Sequence, residues 1–425
     1  MDPAPPRPVV PPAALSRPWH LLGVLVLVVA ALPIVHRYLV AYPDDQWQVD
    51  LEVYREAGIS LLVGRPVYDV LTEAPQLLPF TYPTFSAVLA VPLAFVPFLV
   101  AGWLWTAFQL ALLYVTVGLA FRPLLDRVDL TGRVPRGLVQ GLVAAACVWV
   151  SPVGEGIRFG QVNAILVLLC LLDVVRGQEG VRVGRWWLRW PRGLLIGLAV
   201  AIKLTPGVFL VHFVVTRQWR ELRNAVAGAV GATVAAFLVA PEASAEYWTS
   251  ALLSSDRLGP NAGSSNQSLR GFVLRLYLSD GATQLLWLGL VAVFGTAAFL
   301  VARAMYRRGS RYGEVAACGL AAILVSPVSW LHHLHWGVLA IAAVLGAARV
   351  RRRVVVAVAL YAGLVVAWPW WGANLLAGSA PVVLARFVQN GDLWWAMLAL
   401  LALHRCVRDT AGDHRNMTKS DQSVA

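Results

Sequence analysis

Three groups of ionisable side chains interrupt long apolar stretches of this sequence: Asp50, Lys203 and the histidines His332, His333 and His335. A carboxylate held at the edge of an apolar phase can take a proton from a hydroxyl group. An ammonium group in low dielectric can hold a phosphate as a point charge. Imidazoles can hydrogen-bond a polar or phosphorylated substrate, or ligate zinc. Each group also has a plainer reading: Asp50 as a helix cap, Lys203 as a lysine that snorkels to the lipid surface, the histidines as members of an interfacial aromatic belt. Three histidines within four residues lack the i, i+4 pair with a supporting acid, so the metal reading is the weakest and no metal is expected.

Weaker signals surround these. Tyr82 lies in Phe80-Thr81-Tyr82-Pro83, and Glu155, Arg158, Gln161 and Asn163 lie between two apolar runs. Asn266 and Gln267 close the Gly/Ser-rich stretch Gly259-Pro260-Asn261-Ala262-Gly263-Ser264-Ser265. Alone, Asn and Gln at such places are commonly caps, and a Gly/Ser-rich stretch is commonly a loop. Their shared side of the molecule, set by topology, gives them weight as substrate-binding candidates.

The elements that must carry these residues are apolar helices. The chain has 425 residues, 58% hydrophobic and only 14% charged, against roughly a quarter charged in a soluble domain. Its mean hydropathy is +0.65. No soluble core of this size hides that much apolar surface, whereas a bilayer absorbs it. An all-α polytopic integral membrane protein is expected. Apolar runs occupy 20–40, 83–121, 138–151, 162–175, 193–216, 224–240, 284–302, 315–329, 336–348, 354–370 and 393–404. The Pro-rich residues 1–19 read as a disordered cytoplasmic tail, 20–405 as a single transmembrane domain and 406–425 as a second cytoplasmic tail. The four cysteines (Cys147, Cys170, Cys318, Cys406) sit in or beside apolar runs and read as packing residues.

Charge sets the orientation. Segments 122–136, 176–192, 217–223, 303–314 and 349–353 are all net basic, whereas 41–83 carries seven acids against Arg55 and Arg65. Basic short loops stay cytoplasmic, so both termini are expected inside and the acidic segment outside. This accounts for the net charge of +12 without nucleic acid, leaving membrane lipids as partners. Two regions are ambiguous. Residues 83–121 are long enough for two crossings although one satisfies the charges. Residues 193–216, basic at both ends and broken at Lys203-Leu204-Thr205-Pro206, fit a pair of short helices with an outward tip better than one crossing. That gives about twelve helical passes, some short or re-entrant. In the first outer loop, Leu51, Tyr54, Ile59 and Leu62 form a stripe expected to lie on the membrane, with Asp50 near the start of that interfacial helix. Asp50, Lys203 and the histidines then converge on the outer face.

No phosphate-binding Gly loop, dinucleotide fingerprint or nucleophile elbow is visible, so nucleotide-driven chemistry is not expected. A transporter would place polar groups at helix breaks too, but it should show internal repeats and charges reachable from both faces, and the sequence shows neither.

Six pieces in order carry a resemblance: Asp50-Leu51-Glu52-Val53-Tyr54 with Gly64-Arg65-Pro66-Val67-Tyr68, Phe80-Thr81-Tyr82-Pro83, Gly160-Gln161-Val162-Asn163, Lys203-Leu204-Thr205-Pro206, Asn266-Gln267-Ser268, and Ser326-Pro327-Val328-Ser329-Trp330-Leu331-His332-His333. With them the chain resembles the polyprenyl-phosphate-mannose-dependent α-(1→2)-mannosyltransferases of actinobacteria, which have the GT-C fold. Thr84 departs from the expected second proline. The resemblance implies that Asp50 is the general base for an acceptor hydroxyl that attacks mannose with inversion. It implies polyprenyl-phosphate-mannose as donor, with Lys203 and His332 or His333 holding the departing phosphate, and no cofactor. It implies a phosphatidylinositol mannoside acceptor, extended from tetramannoside to pentamannoside at the periplasmic face of the inner membrane. Branching of lipomannan is the alternative.

Overall fold

The structure is a computed structural model, described over residues 13–41, 47–176, 181–183, 186–254, 259 and 261–407. The proposed tails at 1–12 and 408–425, and Asp44, Asp45 and Pro260, lie outside the described residues. The first helix, α1 (Ala13–Val35), starts inside the segment read as tail and runs on through a π-turn at His36–Val40. The chain continues through α2 (Val49–Val63), α3 (Thr84–Ala94), α4 (Phe98–Ala120), α5 (Arg122–Thr131), α6 (Arg136–Val148), α7 (Ser151–Phe159) and α8 (Asn163–Arg176). After a small antiparallel hairpin, β1 (Val181–Val183) with β2 (Trp186–Leu188), come α9 (Leu194–Ile202), α10 (Val208–Thr216), α11 (Trp219–Val239), α12 (Pro241–Thr249) and α13 (Leu269–Leu274). The remainder is α14 (Asp280–Leu290), α15 (Thr296–Arg307), α16 (Arg311–Val325), α17 (Gly337–Leu345), α18 (Arg351–Val365), α19 (Trp368–Ala377), α20 (Val382–Gln389) and α21 (Gly391–Cys406).

Among the described residues, four helices are long and apolar enough to cross a bilayer alone: Arg17–Val40, Phe98–Ala120, Trp219–Val239 and Asp280–Arg307. Two bent pairs, α6 with α7 at 77° and α18 with α19 at 48°, bring the number to six if each is one span. Of the expected total of about twelve helical passes, some short or re-entrant, four to six are seen as full-length apolar spans among the described residues. The other apolar runs fold into shorter helices, which is tolerated where neighbouring protein satisfies the broken backbone. The run at 83–121 resolves into the 11-residue α3 and the 23-residue α4, so it contributes one full-length span. Nearly every residue of α16 and α17 is buried, as expected for helices apolar on all sides. Cys147, Cys170 and Cys318 are buried thiols and Cys406 is half-buried.

The two ends of the bundle differ in chemistry. At one end the basic segments meet: Arg311 donates to the Val174 carbonyl (3.3 Å) and Arg308 to that of His404 (3.3 Å). There too Arg127 donates to Ala347 and Ala348 (3.0 and 2.6 Å) and Arg353 to Val344 (2.7 Å). From this basic end α9 and α16 rise to the opposite end, and α8 and α21 descend from it. That opposite end holds Asp50, Lys203 and the histidines.

The segment 193–217 is a hairpin of two short helices. Arg192, just before α9, pairs with Glu314 at 3.4 Å. His212, near the end of α10, bonds the same carboxylate at 2.9 Å, and Gln218, just after α10, at 3.4 Å. The two ends of the hairpin thus meet on one buried side chain, and its tip, Lys203 to Gly207, lies about 14 Å away, nine helical residues up. Asp173 starts the rise: its carboxylate accepts from the Gly193 N–H at 2.7 Å and from the Trp190 indole at 3.2 Å, and it also bonds the N–H groups of Leu195 and Ile196. Those are the orphan donors of a helix start. Gly193 itself has φ +103°, and a Cβ there would strike the Glu221 carbonyl. Pro206 then prevents α9 from continuing past Lys203, whose own backbone is extended (φ −153°).

Candidate active site

α2 presents Asp50 at its second residue. Its position is fixed by Gln48, a non-glycine residue in the left-handed region (φ 48°). The Gln48 amide donates to the Gly102 carbonyl (3.2 Å) and to Thr106 (2.7 Å), tying the helix start to α4. The stripe expected on the membrane behaves otherwise. Leu51 and Tyr54 are buried against the protein, while Leu62 is exposed. The cause is close packing by α3 and by the turn after α7, where Gly160 (φ +69°) has room for no Cβ beside Leu51. The side chain of Asp50 bonds Gln161 and faces the charge of Lys203 rather than capping α2.

Gln161 is the shared member of the cluster. Its amide N–H2 serves the Asp50 carboxylate, and its carbonyl oxygen accepts from Tyr54 (3.1 Å) and from Lys203 (3.4 Å). The ammonium of Lys203 also donates to Asn163 (3.4 Å), lies 3.0 Å from Nε2 of His333 and sits 5.0 Å above the ring of Tyr82. Asn163 in turn donates to the His332 backbone carbonyl at 2.9 Å. Only 6% of Lys203 is exposed, so the snorkelling reading fails. Loss of hydration makes the charged carboxylate less favourable, and burial pushes the Asp50 carboxyl up to about 6, against the pull of Gln161 and Lys203.

The three histidines lie on a 3-10 turn, Leu331–Trp336, and all are buried. His332 and His333 meet edge to face at 4.8 Å. Both ring nitrogens of His332, Nδ1 of His333 and Nε2 of His335 have no hydrogen-bond partner among the described residues. Buried imidazoles with open nitrogens are available to a ligand. Among the described residues no three His, Cys, Asp or Glu side chains are grouped to hold a metal ion.

A cavity of about 380 Å³ opens beside this cluster, with Tyr82, Lys203, Thr205, Tyr247, Trp330 and His333 among its walls. Tyr247, on α12, and Tyr68, which holds Tyr82 through its carbonyl at 3.0 Å, were not legible as site residues. Glu155 and Arg158 are not part of this group. They pair with each other at 3.2 Å, Trp370 donates to Glu155 at 3.4 Å, and they line a separate cavity of about 750 Å³ together with Arg37 and Tyr38. The reason is helical: α7 ends at Phe159, and the turn at Gly160 sends Gln161 and Asn163 to the Asp50 side.

Asn266 and Gln267 are also placed differently from a substrate-binding role. Asn266 accepts from the N–H groups of Ser268 (3.2 Å) and Ser329 (2.9 Å) and donates to Asn261 (2.9 Å). Gln267 donates to Ser264 and Gln389 and accepts from the Leu393 N–H. Both are fully buried. Their hydrogen-bonding capacity goes to fixing the histidine turn against α20 and α21.

Residues 80–327 match glycosyltransferase family 87. The chain is 32% identical over 386 residues to a polyprenol-phosphate-mannose-dependent alpha-(1-2)-phosphatidylinositol mannoside mannosyltransferase of Mycobacterium tuberculosis, covering 88% of each chain. It is 33% identical over 329 residues to the Mycolicibacterium smegmatis enzyme named for the phosphatidylinositol pentamannoside, covering 76% of this chain and 75% of that one. An alpha-(1->3)-arabinofuranosyltransferase of Corynebacterium glutamicum is 27% identical over 280 residues, 63% of this chain and 61% of its own. No solved structure matches. The chain belongs to glycosyltransferase family 87 and is a membrane glycosyltransferase.

Proposed function

We propose that this enzyme transfers mannose from polyprenyl-phosphate-mannose to a phosphatidylinositol mannoside, forming an α-(1→2) linkage with inversion. The observation that carries the reading is one amide, Gln161, shared by a carboxylate that can act as base and an ammonium that can hold phosphate. Asp50 takes the proton of the acceptor hydroxyl, and the oxygen attacks the anomeric carbon. The bond from that carbon to the phosphate oxygen breaks, and polyprenyl phosphate leaves with the electron pair. Lys203 and the imidazole of His333 face the growing negative charge, in a place where loss of water makes the fixed cation of Lys203 effective. The apolar walls of the adjoining cavity suit a lipid-linked donor arriving from the bilayer. Glu155 and Arg158, in the larger cavity across α7, are assigned to a second lipid substrate.

The acceptor step from tetramannoside to pentamannoside is part of the proposal. A pentamannoside acceptor is the second reading, favoured by the 33% identity to an enzyme named for that acceptor. In this proposal the site lies on the periplasmic face of the inner membrane and both termini in the cytoplasm, and the gathering of basic segments at the opposite end of the bundle supports it.

The test is mannose transfer by the purified chain in nanodiscs, with polyprenyl-phosphate-mannose and each acceptor in turn. Asp50→Asn should bind donor but lose at least about a hundredfold in turnover. Lys203→Ala should raise the donor KM about tenfold. Near-normal turnover by Asp50→Asn would remove the base assignment, and no transfer by folded parent to either acceptor would remove the acceptor class.

A further inference from the structure

The basic end of the bundle contains a pocket that the transfer reaction does not use. Thr216 and Arg217 at the end of α10 and Arg303, Tyr306 and Arg307 at the end of α15 surround a cavity of about 300 Å³. Its walls are almost wholly polar. Arg303 and Arg307 form the last turn of the 28-residue apolar span Asp280–Arg307, so the pocket lies where that span leaves the hydrocarbon, at the depth of lipid headgroups.

Arginines at this end are expected from topology alone, and cations at helix C-termini are favourable in themselves. What separates these three is that, with unpartnered side chains, they meet on one cavity. Arg127, Arg308, Arg311 and Arg353 are bonded to backbone carbonyls, and Arg192 to Glu314. The side chains of Arg217, Arg303 and Arg307 have no ion pair or hydrogen bond among the described residues, yet all three line one cavity together with Thr216 and Tyr306. Guanidinium groups recognise phosphate through paired N–H donors, and basic pockets between membrane helices bind anionic headgroups.

We infer that this pocket, formed where α10 and α15 end, binds the phosphate headgroup of an anionic membrane phospholipid. Tyr306 also contacts the ring of His212 at 6.2 Å. The headgroup would therefore sit next to the Glu314 cluster that joins the two ends of the hairpin.

The experiment is native mass spectrometry of the full chain, purified in detergent with phosphatidylcholine and offered phosphatidylglycerol. The parent should retain one phosphatidylglycerol in preference to phosphatidylcholine. Arg303→Gln with Arg307→Gln should lower that retention about tenfold. Arg351→Gln with Arg352→Gln, two exposed arginines at the same end, should leave it unchanged. Equal retention by parent and the first pair overturns the site. An equal loss from both pairs also overturns it, by showing diffuse attraction to the whole basic surface. A second arm offers inorganic phosphate alone to lipid-free protein. Phosphate bound through the same arginines with no lipid retained assigns the pocket to a soluble anion and overturns the headgroup source. Thermal unfolding checks each variant, and Arg307→Gln alone, at an exposed position, replaces the pair if the pair does not fold.

Discussion

At the residue scale, the site depends on how two opposite charges are kept apart and useful. Asp50 and Lys203 do not form a direct ion pair but share Gln161 between them, which leaves the carboxylate free to take a proton and the ammonium free to meet phosphate. Burial raises the Asp50 carboxyl to about 6. A base works only when deprotonated, so transfer should rise to its plateau just above that pH. It should fall about tenfold for each unit below about 6. A pH profile of kcat/KM at subsaturating acceptor checks this, and a rate that stays flat down to pH 5 would mean that another group accepts the proton.

At the element scale, the decisive unit is the hairpin of α9 and α10. Its tip carries Lys203, while its ends are joined at Glu314, which is 2% exposed and bonded to Arg192, His212 and Gln218. Removing one partner of a buried charged cluster leaves the others unpaired. Glu314→Ala should cost about 3 kcal/mol of stability and raise the donor KM, because the tip loses its anchor. Glu314→Gln, which keeps an acceptor for His212 and Gln218, should recover much of both. Thermal unfolding in detergent and donor saturation curves measure the two effects, and an Ala variant with unchanged values in both would show that packing of α9 against α11 alone holds the hairpin.

At the scale of the whole molecule, chemistry is separated along the bundle. The arginine contacts with Val174, Ala347, Ala348 and His404 mark one end, and Asp50, Lys203 and the histidines mark the other. The orientation in the membrane should follow from that separation. In a Cys406→Ser background, Glu73→Cys should react with an impermeant maleimide on intact spheroplasts. Arg352→Cys should react only after lysis. Both positions are exposed, so the reverse pattern would invert the proposed topology.

The membrane class, the helical architecture and the principal polar residues were legible in the sequence because they depend on composition and on single residues out of place in apolar runs. Lys203 was visible as a charge where lipid tolerates none, and the hairpin at 193–216 as a basic residue at each end with a proline-marked break between. Contacts between segments distant in sequence were not legible. The neighbours of Gln161 come from α2, from the strand of chain before α3 and from the α9 tip, and no local pattern relates those positions. Asn266 and Gln267 had the composition of binding residues, but only folding showed their amides consumed by backbone groups of Ser329, just before the histidine turn, and of α21. Glu155 and Arg158 lie beside Gln161 in sequence, yet the turn at Gly160 sends them to another cavity. Hydropathy and charge act locally and are written residue by residue. Which polar groups face one another depends on where helices end and bend, and packing between distant segments decides that.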